Sequence, residues 1–379
     1  MLKCEVWKNA MKRIQHRENA ARAREALALL HKVALAVTMT FGVMSPEVAF
    51  GAPFKTNVVA FGDSLLDAGT YLPIAEAFFG GGRFTTNPGL NFTQDVARSY
   101  GSVLTPAFIG GFGVPLLPAG GLDYAQGGSR VTSQPGTDHA PGQSPFAAFE
   151  QQTTIPVKDQ VAEFLKAHRQ FDPDQLILIN GGANDILFQL TVAQAKGTAS
   201  AQQDARNAII QSANDLVGVV ATMVTKGATH VVLINVPDIG KAPIGVASAD
   251  NGQSFTQISQ LFNATLASAL QQQNFGRKVL LIDAFSFVDH VISDFQQYGF
   301  TVSNTAIACN LSAQVAIATE FHLDNPSVFG SSLFCSPRTY VSNGADQNYM
   351  FADELHPTTR LNAVVAQYVE NQIAAQHWK

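Results

Sequence analysis

Val58-Val59-Ala60-Phe61-Gly62-Asp63-Ser64-Leu65 is the stretch on which the fold turns. Four apolar residues without polar alternation, stopped by glycine, predict a short strand buried on both faces with a turn behind it. Leu176 to Ile179 repeats the pattern and ends at Asn180-Gly181-Gly182. Val231 to Ile234 ends at Asn235 and Pro237, and Val279 to Ile282 ends at Asp283. Helical periodicity fills the intervals. Pro156 opens a helix to about His168. Ser200-x-x-Gln203 reads as a capping box. Behind it lies an apolar stripe through Ile209, Ala213, Leu216, Val220 and Val224, which Gly227 ends. Ile258 to Leu270 and Thr359 to about Ala375 read as two more helices. Such alternation specifies an α/β fold with a parallel sheet and right-handed crossovers.

Two regions interrupt the rhythm. Residues 72–150 are rich in Gly, Pro and Phe, and residues 295–352 are polar and carry Cys309 and Cys335. Both are expected as irregular insertions of the kind that form binding loops. Phe78, Phe79, Phe84, Phe92, Phe108 and Phe112 cluster in the first. They either line an acyl-chain groove or pack a core, and sequence leaves both open.

The 379 residues are 46% hydrophobic and 14% charged, enough for a sizeable core, which excludes wholesale disorder. Three cysteines exclude a disulfide-dense scaffold. Residues 1–51 are basic, pass through an apolar stretch from Val33 to Met44, and end in Ala49-Phe50-Gly51. That order describes a secretory signal peptide cleaved near Gly51, ahead of a domain over 52–379; the alternative is an amphipathic helix that is retained. Without the leader, 16 Lys/Arg face 25 Asp/Glu, a net of −9, which argues against a nucleic-acid partner. No later membrane span is expected. In an oxidising compartment Cys309 and Cys335 are expected to form one disulfide; two buried thiols are the alternative.

Chemistry concentrates in four places. Ser64 stands where a parallel strand delivers its C-terminal end, the usual ligand side of such sheets. A serine hydroxyl needs a base, and His356 in Asp353-Glu354-Leu355-His356-Pro357 supplies one. Asp353, three residues earlier, is spaced to hold the far imidazole nitrogen. Gly127-Gly128 and Gly181-Gly182-Ala183-Asn184-Asp185 offer backbone N–H groups and a side-chain amide for an oxyanion. Each motif alone also reads as an ordinary turn. Asp63 is a rival triad acid, but its place beside Ser64 keeps it from the far side of the imidazole. With Asp67 and Asp185 it is expected to accept backbone hydrogen bonds. A dinucleotide fingerprint, a Walker A loop and an H-E-x-x-H helix are all missing.

In this order the four stretches resemble the conserved blocks of the SGNH hydrolases, the GDSL lipase/esterase family. Phe61-Gly62-Asp63-Ser64-Leu65-Leu66-Asp67-Ala68-Gly69 is similar to the first block, and Asp123-Tyr124-Ala125-Gln126-Gly127-Gly128 to the second. The family more often has asparagine where this chain has Asp123. Gly182-Ala183-Asn184-Asp185 and the Asp353–Pro357 stretch match the last two. The resemblance implies a flavodoxin-like three-layer α/β/α sandwich with a five-stranded parallel sheet. It implies Ser64, His356 and Asp353 as a triad, with the Ser64 and Gly128 N–H groups and Asn184 as oxyanion donors. Within the family the chain looks most like the secreted bacterial lipolytic branch, which includes autotransporter esterase passengers and phospholipase/cholesterol acyltransferases. Thr85-Thr86-Asn87-Pro88-Gly89 and Asn343-Gly344-Ala345-Asp346-Gln347 resemble the former. About 20 residues follow His356, too few for a barrel, so a protein secreted or periplasmic in a Gram-negative bacterium is expected; a monomer is expected as well. The expected substrate is a small-molecule or lipid ester of short to long acyl chain, met in transient contact with a lipid surface. Carbohydrate O-acetyl esterase, phospholipase/acyltransferase and a non-catalytic binding module are the alternatives. The chemistry calls for no metal and no cofactor.

Overall fold

A computed structural model describes residues 57–111, 114–137, 154–323 and 325–378. The chain divides into the units Met1–Ala52 and Pro53–Lys379. The leader reading lies outside the described residues, and all that follows concerns the second unit.

In chain order the main elements are β1 (Val58–Phe61), α1 (Leu72–Phe79), α2 (Phe92–Ser99), β2 (Phe108–Gly111), β3 (Val114–Pro118), α3 (Val157–His168) and β4 (Leu176–Ile179). Next come α4 (Ala183–Lys196), α5 (Ala199–Thr225), β5 (His230–Ile234), α6 (Gln253–Gln271), β6 (Val279–Ile282) and α7 (Ala284–Ser293). The last are β7 (Val302–Ile307), α8 (Leu311–Glu320), β8 (Tyr349–Phe351) and α9 (Thr359–Gln376).

β1, β4, β5 and β6 pair in parallel in that order, with Val58 beside Leu176 and Val231 beside Val279. Their side chains alternate between two cores. Val59, Phe61, Ile177, Ile179, Val231 and Leu233 pack against α3, α5 and α6. Val58, Ala60, Leu176, Leu178, Val232 and Ile234 pack against α2 and α9. Helices on both faces explain why these strands carry no polar alternation. Each of these side chains except Ala60 contributes about 1.5–3 kcal/mol by leaving water. The long apolar helix α5 has the length and hydropathy of a membrane span, and its stripe through Ile209, Leu216 and Val220 lies in the first of these cores.

Four strands form the sheet rather than the five expected. Beside β1, at the edge, Asp123 makes a single parallel bridge to Ala60, with Ala60 N–H on Leu122 O and Tyr124 N–H on Ala60 O. One more hydrogen bond follows, Gln126 N–H on Gly62 O, but Gly62 N–H turns to the Gln160 side chain instead of a backbone carbonyl, so no regular fifth strand forms.

Two further expectations are corrected. The N-cap of α5 is Thr198, whose hydroxyl accepts from Ala201 N–H at 3.2 Å; Gln203 donates instead to Asn207. The chain leaves α4 at Gly197 in a left-handed conformation, so Ser200 already lies inside the new helix. The supposed irregular insertions hold regular structure: α1, α2 and the β2–β3 hairpin in one, β7, α8 and β8 in the other. They fold on each other, with Tyr71, Ala75 and Phe79 packed against Phe329, Leu333 and Phe334.

Candidate active site

The turn after β1 is built around Gly62. Its φ of +153° favours glycine, and a Cβ would lie 1.9 Å from Asn180 Oδ1. Gln160 brackets the same residue, accepting Gly62 N–H and donating to Gly62 O, both at 2.8 Å. Asn180, directly after β4, exchanges two bonds with Asp63: Asp63 N–H donates to its Oδ1, and its Nδ2 donates to Asp63 Oδ1. Ser64 is thereby fixed at the strand end. Asp63 is engaged with Asn180 and Leu65 N–H, as expected of a loop-organising residue. Burial raises its carboxyl above the usual range, against the hydrogen bonds that lower it.

His356 reaches the same point from the loop between β8 and α9. Its Nε2 lies 2.8 Å from Ser64 Oγ, and its Nδ1 lies 3.0 and 2.9 Å from the two oxygens of Asp353. Asp353 also accepts the N–H groups of Ser332, Leu355 and His356. Burial pushes its carboxyl up, but the His356 imidazole and these hydrogen bonds outweigh burial and hold it well below the usual carboxylate range. An ionised carboxylate only accepts, so His356 carries its proton on Nδ1 and presents a lone pair at Nε2. The arrangement can take a proton from Ser64.

The N–H groups of Ser64 and Gly128 have no hydrogen-bond partner among the described residues. Gly128 has a φ of +82°. Asn184 sits in the first turn of α4; its Nδ2 donates to Ser129 O at 2.9 Å while Thr137 Oγ1 donates to its Oδ1. The amide is thereby oriented, and one Nδ2 hydrogen remains. Asp185 accepts Val131 N–H and pairs with Arg130 at 3.3 Å. Asp123 uses both carboxylate oxygens as acceptors, which the asparagine more usual in the family could do at one atom only. Burial first, then the Asp67 carboxylate, pushes its carboxyl well above the usual range.

A narrow cavity of about 90 Å³ opens at Ser64, Asn184 and His356 and runs between Ile234, Val288, Leu361 and Val365. Of the five described phenylalanines in that cluster, Phe92 alone lines it. Phe84 lies on His356, Phe78 and Phe79 belong to the α1 core, and Phe108 packs against Tyr124. Phe112 is outside the described residues. Of the two readings left open for this cluster, packing describes all of its described members but Phe92, and aliphatic side chains from the end of β5, α7 and α9 line the cavity instead.

Cys309 and Cys335 form a disulfide with Cα atoms 5.8 Å apart. Cys309 N–H donates to Ala352 O, and Cys335 N–H donates to Ser332 O. The link thus joins both segments that hold Asp353. Thr85 Oγ1 donates to Pro357 O, and Thr86 bonds the N–H and hydroxyl of Thr359, so the Thr-Thr-Asn-Pro-Gly stretch steadies the backbone behind His356. Sequence reasoning missed Ser332 and Tyr71, and it offered Phe84 for a groove or a core rather than for the place beside His356. Thr85-Thr86 carried a signal as part of a quoted motif, and Phe84 as part of the phenylalanine cluster.

This is the fold and the side-chain arrangement of an acyl hydrolase of the α/β/α class. Residues 58–369 match the GDSL-like Lipase/Acylhydrolase family, and the chain belongs to that family of hydrolases acting on carboxylic esters. It is 26% identical over 360 residues to a phosphatidylcholine-sterol acyltransferase of Aeromonas hydrophila, covering 88% of this chain and 95% of that protein. A GDSL esterase/lipase of Arabidopsis thaliana is 24% identical over 343 residues, covering 83% and 86%. An uncharacterised Pseudomonas putida protein is 24% identical over 363 residues, covering 91% of this chain and 52% of that one.

Proposed function

We propose that the chain is a serine esterase that hydrolyses esters of short to medium acyl chains. The observation that carries this is the unbroken contact from Asp353 through His356 to Ser64 Oγ at the mouth of an apolar cavity. Ser64 attacks the ester carbonyl as His356 Nε2 takes its proton. The oxyanion is met by the Ser64 and Gly128 N–H groups and the Asn184 amide. His356 then protonates the leaving alcohol, and water releases the acyl group by the reverse route. No metal or cofactor enters this cycle. The cavity supports the acyl assignment, since it opens at Ser64 and its walls are mostly aliphatic. The disulfide supports export behind a cleaved leader, with residues 52–379 as the working domain.

Nitrophenyl esters from acetyl to palmitoyl, a phospholipid with and without sterol, and acetylated xylan, each tested with the protein and Ser64→Ala, examine this. Ser64-dependent cleavage best on short to medium chains is the expected result. Activity confined to acetylated xylan makes the protein a carbohydrate esterase. Sterol ester formation makes it a transferase, the activity in the name of the Aeromonas relative. A folded protein with no Ser64-dependent activity on any of these overturns the proposal.

A further inference from the structure

The peptide between Gly127 and Gly128 is a single planar unit. Its N–H is the Gly128 donor, and its carbonyl is Gly127 O. That carbonyl accepts a hydrogen bond of 3.0 Å from the hydroxyl of Tyr71, a buried residue at the start of α1. In a trans peptide the two groups point in opposite directions, so a hydroxyl fixed on the carbonyl side sets the direction of the N–H on the other.

Neighbouring bonds tie the same segment to the turn carrying Ser64. Gln126 N–H donates to Gly62 O at 3.1 Å, Gly127 N–H to Asp67 Oδ2 at 2.9 Å, and Thr70 Oγ1 to Ala125 O at 3.1 Å. Asp67 is itself held by the N–H groups of Gly69 and Thr70. These bonds fix the segment, but they act on peptides upstream of the donor. Tyr71 acts on the donor peptide. Hydrogen bonding at the carbonyl also polarises the amide and strengthens its N–H as a donor. The Tyr71 ring meets Phe84 edge-on at 6.1 Å, and Phe84 fills the space over Gly127, where a Cβ would lie 2.1 Å from the ring.

We propose that Tyr71 is a positioning residue that aims and strengthens the Gly128 N–H at the developing oxyanion. This rests on the esterase reading above. The oxyanion exists only after attack, so the effect belongs to the transition state and leaves substrate binding alone.

The test is Tyr71→Phe, which removes only the hydroxyl, beside Thr70→Val, which removes a hydrogen bond of the same loop from a non-donor peptide. Tyr71→Phe is expected to lower kcat about tenfold, less than the ~10²-fold of losing a donor outright, with KM within twofold. Affinity for a reversible trifluoromethyl ketone analogue should fall by the same factor, with the pH profile of kcat unmoved. Thr70→Val should lower Tm without that loss of analogue affinity. Unchanged kcat and analogue affinity in Tyr71→Phe overturns the proposal, as does an equal loss of analogue affinity in both variants. If Tyr71→Phe does not fold, fluorotyrosine at position 71 replaces it, and analogue affinity should rise with the acidity of the hydroxyl; no trend overturns the proposal. Full activity in Ser64→Ala points instead to failure of the esterase reading.

Discussion

The ring of Phe84 lies against the imidazole of His356, centroids 5.1 Å apart and planes tilted by 36°. Hydrogen bonds fix His356 at both nitrogens, but neither bond stops the ring from rocking about the line between them. Phe84 supplies that wall. Phe84→Ala should therefore lower kcat/KM by about tenfold through loss of orientation. Steady-state kinetics on a short-chain ester check this, and an unchanged kcat/KM removes Phe84 from the account.

Asp353→Asn keeps the shape of the side chain but ends its ability to accept at both oxygens. The amide must satisfy Ser332 N–H and Leu355 N–H with one oxygen, and it no longer stabilises an imidazolium. We expect kcat to fall by about 10³- to 10⁴-fold. A loss below tenfold would mean that another group orients His356.

Val288→Phe would fill the cavity beside Ser64. Hexanoyl ester hydrolysis should drop at least tenfold in kcat/KM, on the scale of about 1–3 kcal/mol per methylene refused, with the acetyl ester within threefold. Equal losses on both esters would place the acyl chain elsewhere.

Joint replacement of Cys309 and Cys335 by serine opens a loop with a sequence separation of 26, worth about 3.5 kcal/mol by chain entropy. Because the link joins the segments flanking Asp353, activity should be lost at a lower temperature than global unfolding. Parallel thermal activity and circular-dichroism curves test this; coincident curves would make the bond a purely global constraint.

Asp289, in α7, has one buried oxygen without a partner among the described residues. Burial, then Asp238 and Asp283, raise its carboxyl to about 6 from 3.8, against the opposing pull of Lys241. The folded state thus binds this proton more tightly than the unfolded chain. The cost of ionising Asp289 is full above pH 6 and vanishes as pH falls to about 4. Asp289→Asn should raise stability at pH 8 by about 1 kcal/mol after screening, or roughly 2 °C in Tm, and leave it unchanged near pH 4. A Tm gain that is the same at both pH values would exclude this cause.

The four sheet strands were legible residue for residue, apart from His230 at the start of β5, because burial on both faces leaves a continuous apolar run that no other local structure explains. Ser64, Asp353 and His356 were legible because strand-end serine and an Asp-x-x-His spacing are local facts. The cap of α5 was misread because Thr198 and Ser200 both suit a cap, and only the path out of α4 chooses between them.

Sequence by itself determined the sheet, the order of the four motifs and the identity of the groups that can exchange a proton. Tertiary structure decided everything that rests on contacts between distant segments. The α1 core joins residues near 75 to residues near 330, so neither side carries an apolar face that reads as complete alone. Tyr71 on Gly127, Phe84 on His356 and Ser332 on Asp353 follow the same rule. An aromatic ring or a backbone N–H has no local signature of the atom it will meet. That partner is chosen only when packing brings the two segments within hydrogen-bond or van der Waals reach.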